Sequence, residues 1–117
     1  MGLDFSHCDA HWSYSGFGRF RARLAAGIGV RLGKMEGFGG SGSWDEVDDP
    51  IKALLHHSDC DGELTAEECA LVYPRLEELV SGWLGSNEEE DYDRHMGLEL
   101  VEGMKKAVIL LESLEFC

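Results

Sequence analysis

Apolar residues recur at three- and four-residue steps in three parts of the chain, and each recurrence predicts an amphipathic helix. Phe17, Phe20, Leu24 and Ile28 mark the first, over about Ser15 to Ile28, with Arg19 and Arg23 on one flank and Arg21 on the other. Cys69, Val72, Leu76, Leu79, Val80 and Trp83 share a face of a second helix, from Thr65 to about Leu84. Pro74 lies inside that segment and predicts a kink or a split. Tyr92, Met96, Leu100, Met104, Ala107 and Leu111 define a third stripe. A shorter helix is expected in IKALLHH, with Asp49 as cap and Pro50 in its first turn. GLDF (2–5) and LEF (114–116) read as short strands that could pair. The expectation is a mainly α, small single-domain helical protein over residues 1–117, with a two-stranded pairing of the N- and C-terminal segments. Residues 33–44 read as a flexible glycine-rich loop, and residues 86–91 as an acidic loop entering the last helix.

Charge divides the chain. Residues 1–44 carry five bases and three acids, whereas residues 45–117 carry five bases and twenty acids. The acidic part repels nucleic acid, membrane surfaces and polyphosphates, so direct nucleic-acid or membrane binding is not expected. Any anionic ligand would have to meet the first third of the chain. No apolar run approaches the length of a membrane span, and MGLDFSHCDAHW lacks a signal-peptide pattern. A cytoplasmic location with reduced cysteines is therefore expected.

His57-Ser-Asp-Cys-Asp-Gly-Glu-Leu-Thr-Ala-Glu-Glu68 resembles an EF-hand loop, with Gly62 as the turn glycine. Asp59 and Asp61 take the third and fifth positions and Glu68 the closing one, which makes these three the candidate ligands for weak calcium binding. His57 stands where a carboxylate ordinarily begins the coordination. A capped turn explains the same residues: Asp-Gly turns the chain, and Thr65 with Glu68 forms a capping box. No cofactor is required by either reading.

Zinc could draw on His7, Cys8 and His11 together with His56, His57 and Cys60, although neither cluster has a finger spacing. Gly37-Phe-Gly-Gly-Ser-Gly42 matches a dinucleotide glycine pattern but lacks the strand and crossover helix that would give it meaning. Cys8/His11 and Ser13/His11 are too close in sequence to suggest a nucleophile and its base, so a non-enzymatic role is favoured.

HCDAHWSYSGFGRFR (7–21) concentrates histidines, aromatics and arginines ahead of a helix start, a place that suits anions. There Trp12 and Tyr14 could stack a base, Arg19 and Arg23 pair phosphates, and His7, Asp9 and His11 orient the ligand. The bland alternative is that the aromatics fill the core and the polar groups cap the helix. MGLDF, AHWSYSGFGRFR, HHSDCDGELTAEEC and GMKKA…LEF together resemble a family of short uncharacterised proteins from bacteria and their phages, WSYSGF and SDCDGE being the most specific parts. The resemblance implies a stand-alone cytosolic domain of phage or prophage origin. By analogy with small acidic phage proteins, the expected role is sequestration of a nucleotide-derived ligand or signal by residues 7–23. The alternative is inhibition of a host protein by an acidic face including Glu88, Glu89, Glu90 and Asp91. A third possibility is a weak calcium-binding module.

Overall fold

The structure is a computed structural model that describes residues 2–57 and 62–116. In chain order the elements are β1 (Gly2–Asp4), β2 (His11–Ser13), α1 (Tyr14–Gly27), α2 (Lys52–Leu55), β3 (Glu63–Leu64), α3 (Ala66–Ser81), α4 (Glu88–Leu110) and β4 (Leu114–Glu115). The protein is mainly α with a small β part.

Each long helix begins at a side-chain cap. Ser13 accepts the Gly16 N–H at α1, Thr65 and Glu68 form the capping box of α3, and Asn87 accepts the Glu90 N–H at α4. Asp49 is not the cap of α2, which begins at Lys52 behind Ile51 with no side-chain cap; Asp49 Oδ1 instead accepts the Ile51 N–H in the turn through Pro50 that leads into the helix. α3 runs through Pro74 as one helix. The proline is exposed on the outer face, where the carbonyl left without an N–H partner can meet water. Glu88–Asp91 form the first turn of α4 rather than a loop, because Asn87 caps the helix just ahead of them and acids suit its positive end.

α3 and α4 form the most extensive pairing in the fold. The α4 stripe is rotated from the expected one: Asp93, Gly97, Leu100, Val101, Gly103, Met104 and Ala107 are buried, while Tyr92 and Leu111 are exposed. Gly97 sets this packing. A Cβ there would lie 2.9 Å from Val80 Cγ2 and 3.2 Å from Phe20 Cε1, so only glycine lets α4 come this close.

The termini do meet, but not as a single two-stranded pair. β1 pairs antiparallel with β2, placing Leu3 opposite Trp12, and β3 pairs antiparallel with β4, placing Leu64 opposite Leu114. A bridge between Phe5 and Phe116 connects the two ribbons. The glycine-rich segment 33–44 is tied down by hydrogen bonds. Gly42 N–H donates to Lys34 O, Glu36 N–H to Gly42 O, and the buried Trp44 indole to Glu36 O.

Candidate functional site

Trp12 occupies the inward position of β2 and is 1% exposed. Its ring packs on Phe20 at 4.4 Å between centroids, Phe17 at 5.5 Å and Phe5 at 6.0 Å, so its faces are not open to a base. The stacking role expected of Trp12 is corrected on this ground: alternation along β2 turns it into the core. Its indole N–H donates to Asp93 Oδ1 at 3.0 Å. Asp93 is a buried carboxylate that the sequence reading missed, being a polar residue inside an apolar stripe. Burial raises its pKa above the ordinary aspartate value, against the lowering effects of the Trp12 hydrogen bond and the Arg23 charge.

Arg23 reaches α4 from α1. It donates to Glu90 Oε2 at 3.1 Å and Glu89 Oε1 at 3.2 Å, lies over the Trp83 ring, and places Nε 3.5 Å from Asp93 Oδ2. Arg19 pairs with Glu89 at 3.5 Å and is 56% exposed. The arginines expected to meet phosphate are therefore counter-ions of Glu89 and Glu90, two of the four acids expected to face a partner. Glu90 is held below its ordinary pKa chiefly by the Ser86 backbone N–H, with Arg23 adding to the effect.

The remaining candidates point elsewhere. His11 Nδ1 bonds Asp4 Oδ1 at 2.8 Å, and its backbone carbonyl accepts the Tyr92 hydroxyl at 2.5 Å. Tyr14 and Asp9 are exposed. His7 has a left-handed backbone, φ 70°, and its Nε2 meets Glu112 Oε1 at 2.8 Å. Glu112 follows the C-terminal end of α4, whereas Arg23 contacts the N-terminal end, and a 23-residue helix spans about 35 Å. His7 and Arg23 thus sit at opposite ends of the molecule's longest helix, so the seven expected residues do not form one site.

His7 belongs to a second cluster at the C-terminal end of α4. Because a carboxylate only accepts, Nε2 of His7 carries a proton toward Glu112, and in the neutral ring Nδ1 accepts the Ser6 hydroxyl at 2.7 Å. The order hydroxyl, imidazole, carboxylate has the components of an activated nucleophile. Ser6 Oγ, however, also accepts the Glu115 N–H at 2.8 Å, while Ser6 N–H donates to Glu115 O. What the network does here is tie the turn after β1 to β4. Beside it runs a groove of about 360 Å³ lined by His7, Glu63, Glu112, Ser113 and Glu115. Glu63 and Glu115 stand directly opposite each other across β3 and β4, a like-charge pairing that disfavours the ribbon. The sequence signal for this cluster was the pair of glutamates in the short apolar runs GEL and LEF.

Of the calcium candidates, Asp59 and Asp61 lie outside the described residues, as does Cys60. Glu68 is engaged as the capping-box carboxylate, accepting the Thr65 N–H at 3.0 Å. His57 Nε2 bonds the Glu63 carbonyl at 2.9 Å. That carbonyl belongs to the seventh loop position, whose oxygen is a ligand in an EF-hand. The described part of the loop therefore does not present the ligand arrangement. Among the described residues no three His, Cys, Asp or Glu side chains gather as a metal would require. His56 instead stacks on Trp44 and His57 on Phe116. Burial raises the thiol pKa of Cys8, and that of Cys69 to about 11, so neither is poised as a thiolate. No helix among the described residues is long and apolar enough to cross a membrane. Comparison with protein-family models, curated proteins and solved structures finds no match to this chain.

Proposed function

We propose that the protein is a non-enzymatic binding module that engages a basic partner protein through its acidic surface, centred on the groove of Glu63, Glu112 and Glu115. The observation that carries this reading is the internal pairing of Arg19 and Arg23 with Glu89 and Glu90. It engages two of the five bases of the N-terminal third, while the molecule as a whole keeps a large acid excess. A groove of about 360 Å³ has room for one lysine or arginine side chain rather than for an extended ligand. Charged surfaces of this kind govern association rate and partner choice, so binding should weaken steeply with salt.

Isothermal titration with an Arg/Lys-rich peptide tests the reading. The double variant Glu63→Lys/Glu115→Lys keeps the cross-strand pair like-charged and should abolish binding, whereas Arg19→Ala should leave it intact. Binding that survives the double reversal would sink the proposal. A second reading, capture of a small nucleotide-derived ligand, is favoured by the exposure of Tyr14, His11 and Arg19 near the start of α1. A thermal-shift response to a nucleotide panel, lost in Arg19→Ala, would establish it instead.

A further inference from the structure

We infer that the cleft between the turns at residues 31–34 and 43–46 binds a small apolar amino acid, with separate partners for its carboxylate and its ammonium group. The cleft measures about 420 Å³, a size for a small molecule rather than a chain. Of the five bases in residues 1–44, Arg19, Arg21 and Arg23 are engaged by the protein's own groups. Arg31 and Lys34 are the other two. Both are exposed, and among the described residues neither pairs with an acid. The turn in which Lys34 N–H donates to Arg31 O at 3.0 Å puts both on the cleft. The turn in which Glu46 N–H donates to Ser43 O at 3.3 Å puts one carboxylate there too, also unpaired among the described residues. Val30, Met35 and Val47 supply the apolar lining.

Two cations and one anion beside an apolar surface match a zwitterion better than a free anion. A carboxylate can bridge Arg31 and Lys34 through charge-assisted hydrogen bonds, and an ammonium group can donate to Glu46. Glu46 repels a phosphate, as does the field of a chain with net charge −13. An amino acid has no net charge for that field to act on. The site is preformed. Gly42 N–H donates to Lys34 O at 2.9 Å and Glu36 N–H to Gly42 O at 2.9 Å, joining the two turns. A Cβ on Gly40 would collide with Lys34 O, so only glycine lets the chain pass this closely. Trp44, 4% exposed, anchors the second turn through its indole N–H on Glu36 O at 2.8 Å. A cleft formed before its ligand arrives loses little freedom on binding. The inference does not rest on the acidic groove, which is lined by other residues.

Amide NMR of the wild-type protein, titrated with L-leucine, L-methionine and L-phenylalanine to about 20 mM, tests it at a concentration that loads a millimolar site. At least one of the three should give saturable shifts at the amides of residues 30–35 and 42–47. Its deaminated acid and its decarboxylated amine should each bind at least about tenfold more weakly, because each leaves part of the site's charge unanswered. Arg31→Gln and Lys34→Gln should each weaken the amino acid about tenfold. Glu46→Gln should weaken the amino acid but not the deaminated acid. All three side chains are exposed, so the variants should keep the wild-type melting midpoint. Silence across the panel, shifts confined to other amides, or equally tight binding of the deaminated acid or of inorganic phosphate would overturn the assignment.

Discussion

Replacing Trp12 by Phe separates a core role for this residue from a ligand-stacking one. The substitution keeps an aromatic ring against Phe5, Phe17 and Phe20 but removes the indole N–H and part of the ring. Asp93 Oδ1, now bonded at 3.0 Å, then loses its donor inside the core. A hydrogen bond to a charged group contributes about 1.5–3 kcal/mol. The incompletely filled space adds about 1 kcal/mol, giving a loss of about 3 kcal/mol in all. That is a large share of the roughly 5–15 kcal/mol that holds a domain of this size folded. Urea unfolding at pH 7, followed by far-UV circular dichroism, should show the midpoint falling with the slope unchanged. Pairing the change with Asp93→Leu should recover about 1–2 kcal/mol of the summed single losses, because the donor and the acceptor then leave together. A loss below about 0.5 kcal/mol for Trp12→Phe is what a surface position gives. It would refute the buried placement and restore Trp12 as a stacking surface.

Other consequences follow from single contacts. Gly97→Ala gains about 1 kcal/mol of helix propensity but places a methyl 2.9 Å from Val80 Cγ2, and overpacking costs about 1–3 kcal/mol. A net loss of about 1 kcal/mol is expected in denaturant unfolding, and a gain would refute the tight α3–α4 approach. Asp93 has a raised pKa when folded, so the folded state holds this proton more tightly than the unfolded chain. Its contribution to stability therefore declines as pH rises from the ordinary aspartate value through the raised one, and unfolding free energies across that window should lose this decline in Asp93→Asn. Thr65→Ala removes the α3 capping box and should cost about 1 kcal/mol in thermal unfolding. Glu63→Lys turns the like-charge pair with Glu115 into an opposite-charge pair and should stabilise the ribbon by about 0.2–1 kcal/mol, read in the same assay.

The helical fold was legible where periodicity and caps agree. α1 and α3 lie close to their expected bounds because Phe17, Phe20 and Leu24, and Cys69, Val72 and Leu76, repeat cleanly behind Ser13 and Thr65. α4 was read with its stripe rotated: Leu100, Met104 and Ala107 face the core as expected, but the true stripe also contains Asp93 and two glycines, residues that hydropathy scores as outward. The strand pairing was partly visible. Two-residue ribbons carry too little alternation to choose partners, and β1 chose the nearby β2 over β4. The expected ligand site was drawn from sequence proximity, and folding dispersed it. Strand alternation turned Trp12 inward, α1 carried Arg23 to one end of α4, and the turn at His7 reached the other. Arg21 was placed on the flank of the apolar stripe opposite Arg19 and Arg23, yet it is buried, with the carbonyls of Leu55 and His57 satisfying it. That long-range compensation leaves no mark in the sequence.

Amide NMR titration of the wild-type protein with an Arg/Lys-rich peptide tests the acidic-groove proposal most directly. Saturable shifts should centre on Glu63, Glu112, Ser113 and Glu115, weaken with added salt, and vanish in Glu63→Lys/Glu115→Lys. Shifts centred on His11, Tyr14 and Arg19, with the groove amides unmoved, would contradict it and return the binding function to the N-terminal segment.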